Sequence, residues 1–408
     1  MMAEQTIALK EKSGTSYWEF IFLIGAMTAV IALSIDIILP ALVDLGRDFN
    51  LSNPNHPQFV ISSFAISFGI SQLLFGPLSD VFGRRPIIYF GLSVFTIASI
   101  AAAFCNSFWL LIILRFVQGF GAAAVRVASV AVVRDCFAGR DMARVMSFVL
   151  AALMIIPILA PALGQIILYF LTWHWVFVFL GLFGCILGAW VHIRMLETLP
   201  NSARIELEFG PIFSALREIV TNRTAFGYTV AATAFFCALF SFVTSIPQIV
   251  SDIYGRGDQF AMFFAMSATA MAIGSLFNSS FVQKFGMRSI SHGSLLAFTL
   301  IGIVFLAVAL TMTPSIWVTM LFIAALMLNF GFIVSNFNSI AMEPLGHVAG
   351  SAAAVMGGVH FAVGAIIGGT VGQMFDGTII PLASAYCAVG IFAMIVIALT
   401  ERGKFFGT

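Results

Sequence analysis

The chain alternates long apolar runs with short polar breaks from near its start to its end. Twelve runs reach the length of about twenty mostly apolar residues that a membrane crossing needs: 17–43, 57–79, 86–105, 108–133, 145–170, 173–195, 225–250, 259–283, 290–311, 315–339, 348–373 and 380–400. Within each run the apolar side chains are continuous, so barrel strands, which need a two-residue alternation, are excluded. A helix satisfies its backbone N–H and C=O groups within one segment, as hydrocarbon requires. The pattern therefore predicts an all-α polytopic membrane protein with twelve transmembrane helices. The longest charged stretch, 197–224, separates the sixth run from the seventh. It predicts an N-terminal tail (1–16), a six-helix bundle (17–196), a linker (197–224), a second six-helix bundle (225–400) and a C-terminal tail (401–408). The linker reads as an amphipathic helix on the membrane surface. The halves echo each other: Phe82-Gly83-Arg84-Arg85 follows the second run, and Phe285-Gly286-Met287-Arg288 follows the eighth. Two six-helix repeats are a transporter architecture.

Composition agrees. Of 408 residues, 61% are hydrophobic and 9% charged, with a mean hydropathy of +1.05. A soluble domain carries about 25% charged residues, so water cannot cover this surface, and most soluble enzymes are excluded. The net charge of +1 gives no reason to expect a nucleic-acid partner. Cys105, Cys136, Cys185, Cys237 and Cys387 are far apart and form no CxxC. They read as packing residues, and neither a metal nor a cofactor is expected. Residues 1–16 contain Glu4 and Glu11 and no short apolar core before a cleavage site, so they read as a cytosolic tail. An even number of runs puts both termini on one side. Placing that side in the cytosol leaves only Arg47 and Arg256 in outer loops and Arg115 and Arg126 inside a run; the other fifteen of nineteen Lys and Arg are cytosolic. The expected topology is N-in, C-in.

Few charged residues lie deep inside the runs. Asp36 is the deepest acid, roughly 12 Å from Asp44 at about 1.5 Å per residue. A carboxylate there costs several kcal/mol unless protonated or paired, so it reads as a proton carrier, with a static ion pair as the alternative. Arg115 lies at similar depth in the fourth run, within reach of pairing with Asp36. Arg126 follows eleven residues later, on the same helix face and about 16 Å deeper. The runs thus hold two cations against one acid. A substrate anion is one source of the missing charge for Arg126; backbone carbonyls or a helix end are the other. In the eleventh run His360, Gly364, Gly368 and Gly372 recur at spacing four, a close-packing seam with a histidine that reads as a titratable or substrate-bonding group, or as a core histidine satisfied by a neighbour. Asn329 and Asn336 share one face of the tenth run, with Asn338 turned away, and Gln248 ends the seventh. These are candidate pocket residues; helix–helix hydrogen bonding is the alternative.

Several segments resemble a known family. Gly76-Pro77-Leu78-Ser79-Asp80-Val81-Phe82-Gly83-Arg84-Arg85 resembles the G-x-L-x-D-x-x-G-R-R signature of the major facilitator superfamily, and Arg115-Phe116-Val117-Gln118-Gly119-Phe120-Gly121-Ala122 resembles its R-x-x-Q-G-x-G-A motif. Asp36-Ile37-Ile38-Leu39-Pro40 in the first run and Met342-Glu343-Pro344-Leu345-Gly346 near the eleventh are together similar to the bicyclomycin-resistance (Bcr/CflA) type of drug:proton antiporter. The resemblance implies the major facilitator fold and roles for Asp36 and Arg115 in proton coupling. It implies a gate built on Gly76, Asp80, Gly83, Arg84 and Arg85, with Arg84 paired to Asp135 and Asp80 facing the start of the eleventh helix. Pro157, Pro161 and Gly164 resemble a degenerate form of the antiporter motif G-x-x-x-G-P-x-x-G-G, implying a kinked, thinned face that closes against a partner helix.

No Walker motif, protease motif or paired carboxylates appear, so ATP drive and enzyme activity are not expected. One acid and two arginines do not form the continuous polar path of a channel. The expected function is proton-driven efflux of a small organic compound by alternating access. The alternative is export of an anionic metabolite or polycarboxylate siderophore with Arg126 as counter-ion; proton-coupled uptake is a third reading. The expected setting is the bacterial cytoplasmic (inner) membrane, with protons, lipid and a small-molecule substrate as the only partners of a monomer.

Overall fold

The computed structural model describes residues 13–208 and 210–406. Most of the expected N-terminal tail, including Lys10 and Lys12, lies outside the described residues, as do Phe209 of the linker and the last two residues. The described chain is helical: α1 (Tyr17–Asp36), α2 (Leu42–Asp48), α3 (Phe59–Phe82), α4 (Arg84–Ala103), α5 (Phe108–Cys136), α6 (Gly139–Phe170), α7 (His174–Arg194), α8 (Gly210–Thr221), α9 (Arg223–Gln248), α10 (Phe260–Phe285), α11 (Met287–Thr311), α12 (Ile316–Met342), α13 (Ala349–Gln373) and α14 (Ile380–Thr400). All but α2 and α8 are long and apolar, which gives the twelve expected spans. Ile316–Gln373 is one helical stretch, but the turn Glu343–Val348, containing Pro344 and a non-helical Leu345, divides it into α12 and α13. Large apolar side chains point outward along the spans, among them Phe22, Ile97 and Leu321, each about two-thirds exposed. In water such a surface would aggregate; in lipid it is the solvated face.

Two boundaries moved for physical reasons. The first run was expected to stay helical to 43, but α1 ends at Asp36. Pro40 lacks an N–H, and its ring excludes the carbonyl four residues earlier, that of Asp36. The chain then makes a short 3₁₀ turn, Leu39–Ala41, before α2. The chain also divides into two compact units that differ from a single cut at 197–224. Unit 1 comprises Met1–Ile38 and Ser63–Phe209; unit 2 comprises Leu39–Ser62 and Gly210–Thr408. The segment 39–62 thus belongs with the C-terminal helices, and side-chain amides explain why. Asn55 Nδ2 donates to the carbonyls of Gln373 (3.0 Å) and Phe375 (2.9 Å), and Gln373 Nε2 donates to the carbonyl of Asn55 (2.7 Å). Gln248 Nε2 donates to the carbonyl of Pro54 (3.0 Å) and to Asn55 Oδ1 (2.9 Å), while Gln58 Nε2 donates to Gln248 Oε1.

In unit 1, α4 and α5 approach closely through Gly91 and Gly121; a Cβ on Gly91 would lie 2.7 Å from the carbonyl of Gly121. The basic end of the unit is built on the turn between α3 and α4. Gly83 has φ +99° and ψ 163°, a conformation nearly restricted to glycine. Glu197, after α7, accepts from the backbone N–H groups of Arg84 (3.0 Å), Arg85 (3.1 Å) and Leu199 (3.0 Å). A carboxylate on the free N–H groups at the start of α4 satisfies them and complements the helix dipole. Arg194 of α7 donates twice to the Glu19 carboxylate, at 2.6 and 2.7 Å, fixing the start of α1.

Unit 2 repeats this plan. The glycine seam of α13 packs on α9: a Cβ on Gly364 would meet Phe236 and Phe240, and one on Gly372 would meet Thr244 Oγ1 at 2.7 Å. Gly286, between α10 and α11, has φ +80° and ψ 158°, the counterpart of Gly83. Arg288 donates to Glu401 Oε1 (3.1 Å) and faces Glu343 (3.6 Å); Tyr228 also donates to Glu401 (2.7 Å). Partial burial pushes the Glu401 carboxyl up, but the bonds from Tyr228 and Arg288 outweigh it and hold the group below its ordinary range. That stabilisation is present at neutral pH and is lost as the pH falls through the lowered value. The linker forms α8, whose Ala215 and Ile219 are buried and whose Phe213, Leu216 and Val220 are exposed.

Gly83→Ala combines a strained backbone with a Cβ only 2.6 Å from Glu197 Oε2, whereas Gly286→Ala meets nothing within 4 Å. Both should lower thermal stability in detergent, Gly286→Ala by about 1–3 kcal/mol of backbone strain and Gly83→Ala by more. An equal melting shift in the two variants would contradict the role given to Glu197. Asn55→Ala takes the side-chain donor from the carbonyls of Gln373 and Phe375 and removes one of the two acceptors of Gln248 Nε2, and should cost about 1–3 kcal/mol, read as a drop in melting temperature in the same assay.

Candidate transport site and gate

Arg115 lies inside unit 1 with no exposed surface. Its Nη1 donates to Gln118 Oε1 (2.5 Å) and its Nη2 to the carbonyl of Ser34 (3.0 Å). The guanidinium carbon sits 4.6 Å from the centre of the Phe64 ring and 5.9 Å from that of Phe177. Gln118 Nε2 in turn donates to Ser99 Oγ (2.6 Å), and Ser99 to the carbonyl of Phe95 (2.6 Å). The Ser34 carbonyl is one of the last four of α1, which have no intrahelical N–H partner of the ordinary kind. A cation at a helix C-terminus is favoured by the helix dipole.

The direct pairing of Asp36 with Arg115 is therefore absent in this conformation. The arginine reaches a carbonyl two residues before the acid and is satisfied by neutral acceptors and ring faces. Asp36 is the final residue of α1, 5% exposed. Among the described residues it has no hydrogen-bond or ion-pair partner. Similar depth along two helices did not make the side chains face each other, because Gln118, one turn from Arg115 on α5, competes for its donors.

Arg126 lies further along α5 and is half-buried. Its Nη1 is enclosed and has no hydrogen-bond partner among the described residues.

The candidates of unit 2 divide. His360 is buried; its Nδ1 is 2.9 Å from Thr233 Oγ1, its Nε2 is 3.0 Å from Asn338 Oδ1, and its ring stacks on Phe236 at 4.9 Å. Thr233 Oγ1 also donates to the carbonyl of Thr229 (2.8 Å). Asn338, expected to turn away, is thus the asparagine that meets the histidine. Asn336 Nδ2 instead donates to Asn278 Oδ1 (2.7 Å) and Asn329 Nδ2 to the carbonyl of Ala325 (2.9 Å). These are helix–helix and within-helix bonds. Gln248 is committed to the Asn55 network. A cavity of ≈ 430 Å³ opens beside that network, lined by residues including Leu42, Arg47, Pro57, Gln58, Gln248 and Asp252; His360, Asn329 and Asn336 are not part of its wall.

At the gate motif, Arg84 Nε donates to Asp135 Oδ2 (3.0 Å), Nη1 donates to Ser79 Oγ (2.8 Å) and to Asp80, and Thr198 Oγ1 also donates to Asp135 (3.0 Å). Arg85 Nη2 donates to the carbonyl of His192 (2.8 Å), and its guanidinium lies over Tyr89 at 5.3 Å. Gly76 has open space where a Cβ would be. Pro157, Pro161 and Gly164 lie within α6, which runs unbroken from Gly139 to Phe170; Pro161 and Gly164 are buried and Pro157 is half-buried.

Sequence reasoning missed Asn55, Gln58, Glu197, Thr233 and the partnership of Gln118 with Ser99. Only Gln118 carried a signal, standing three residues after Arg115 in the recognised motif. Glu197 was visible as an acid next to the sixth run, but nothing local tied it to a turn more than a hundred residues earlier.

Residues 24–369 match the Major Facilitator Superfamily. The chain is 33% identical over 364 residues to the bicyclomycin resistance protein homolog of Haemophilus influenzae, covering 89% of this chain and 91% of that one. It is 28% identical over 365 residues to a chloramphenicol resistance protein of Pseudomonas aeruginosa, covering 87% and 83%. In fold it is similar to a D-xylose-proton symporter, with a TM-score of 0.75 at 14% identity, over 96% of this chain and 99% of that one. The matched span, the relatives and the helical architecture agree: this chain is a multi-pass membrane protein that belongs to the Major Facilitator Superfamily, a family of transporters.

Proposed function

We propose that the chain is a proton-coupled antiporter that exports small organic compounds of the drug type by alternating access. The observation that carries the proton is Asp36. It ends α1 at the break imposed by Pro40, is nearly enclosed, and has no partner among the described residues. A membrane-embedded acid without a counter-ion is stable only when protonated or wetted, so its state follows what each side of the membrane supplies. Arg115 serves as a positioning residue, holding the end of α1 through the Ser34 carbonyl. The drug class is supported by the names of the relatives, which record resistance to bicyclomycin and chloramphenicol.

The drive is adequate: one pH unit supplies about 1.4 kcal/mol, and 100 mV about 2.3 kcal/mol per charge moved. The Lys and Arg bias supports a topology with both termini in the cytosol, and the reading takes the chain as a monomer in the bacterial cytoplasmic membrane. The Arg84–Asp80–Asp135 cluster then lies at the cytosolic end of α3, α4 and α5 and acts as a gate latch.

Asp36→Asn, tested in everted vesicles, should cut accumulation of chloramphenicol driven by a pH gradient by at least about tenfold, the equivalent of one pH unit of drive. Gradient-independent exchange of labelled for unlabelled chloramphenicol should persist. Undiminished gradient-driven transport in Asp36→Asn would remove Asp36 as the proton site.

A further inference from the structure

We propose that Arg126 is the recognition point for an anionic group on the transported compound, a carboxylate or a similar oxyanion. The proposal rests on the transport reading for what enters the protein, and on Arg126 for the charge it must carry. Nη1 of this guanidinium is enclosed within a membrane span and lacks an acceptor among the described residues. A buried donor left unpaired is costly, and more so when it is charged. Its own helix offers no relief: the residues a turn to either side are Ala122, Ala123, Ser129 and Val130. The described acids of unit 1 are placed elsewhere. Glu19 holds Arg194, Asp80 and Asp135 hold Arg84, and Glu197 caps the start of α4. Asp141 and Glu206 and Glu208 are exposed, and Asp36 pairs with no described residue.

The contrast with Arg115 sharpens this. Both arginines stand on α5, eleven residues apart, and one is furnished with a carbonyl, an amide oxygen and two ring faces. The other is half-buried and has nothing for Nη1. A purely structural arginine would show the first pattern. A guanidinium presents paired N–H groups that match two oxygens of one oxyanion, and such charge-assisted pairs are about twice as strong as neutral ones.

The test is a binding measurement on the purified full chain in detergent. Dansylglycine carries a carboxylate, and dansylglycinamide is its neutral near-isostere. Titrated by dansyl fluorescence near neutral pH, the acid should bind at least about tenfold more tightly than the amide, the discrimination a charge-assisted bond of about 1.4 kcal/mol gives. Arg126→Gln should bring the ratio to about one, and Arg126→Lys, which keeps the charge but not the fork, should hold part of it. Equal binding of acid and amide by the unmodified protein, binding of neither, or a ratio that survives Arg126→Gln overturns the proposal. If Arg126→Gln does not give a monodisperse protein, the ratio in the unmodified chain decides alone. A failed ratio leaves proton-driven chloramphenicol export untouched; absent proton-driven transport sinks that reading and leaves the ratio as measured.

Discussion

A guanidinium with no access to solvent must be hydrogen-bonded where it stands, since an unpaired buried charge costs several kcal/mol. Arg115 meets this demand without a carboxylate, and the demand shapes unit 1. Its Nη2 takes the Ser34 carbonyl, which lies in the last turn of α1. That helix stops because Pro40 cannot follow Asp36 in α geometry. Its Nη1 takes Gln118, which is thereby oriented to donate to Ser99 on α4. Three helices are joined through one side chain, and the proline that ends α1 also places Asp36 at its terminus. Replacing Arg115 would leave the Ser34 carbonyl and Gln118 Oε1 without their donor together, so the loss would exceed that of one bond.

The helices were legible because lipid permits so few alternatives. Where every backbone group must be satisfied within its own segment, a continuous apolar run of twenty residues is a helix, and twelve runs gave twelve. The stop at Asp36 was also legible in principle, since Pro40 stands in the sequence; the apolar run past it hid the break. The membership of segment 39–62 was not legible. It is decided by amides that meet across 190 positions, for Gln58 and Gln248, and 318, for Asn55 and Gln373. No local pattern marks such pairs. The asparagines of α12 show the same limit at shorter range. A helical wheel puts Asn329 and Asn336 on one face, yet the reach of the His360 ring selects Asn338.

The two halves share geometry more faithfully than chemistry. Gly83 and Gly286 have similar dihedral angles, with φ positive and ψ extended, at the start of the third helix of each repeat. Each half also places a glutamate after its sixth helix and ties it to the region of that turn. In the first, Glu197 accepts backbone N–H groups. In the second, Glu401 accepts the Arg288 side chain and Tyr228. The turn fixes where a carboxylate is useful, and the side chains present decide which donors it serves.

The charges of unit 1 constrain how a proton and a substrate influence each other. Within the spans, Asp36 and Arg126 are two ionisable groups for which the described protein leaves a charge or a donor unanswered. In the proposed roles, protonating Asp36 removes a negative charge from the unit, which makes an anion at Arg126 more favourable. By linkage the anion must then favour the proton to the same degree. A cationic or neutral drug would behave differently, the cation opposing protonation and the neutral compound being indifferent to it. Direct electrostatic competition can therefore drive proton exchange only for a cation. For an anion, charge alone would carry substrate and proton the same way, and antiport requires that conformation separate them: the state that accepts the proton must be one in which Arg126 no longer faces the compound. The distance along α5 between Arg115, which holds the helix end beside Asp36, and Arg126 is what makes such separation physically available.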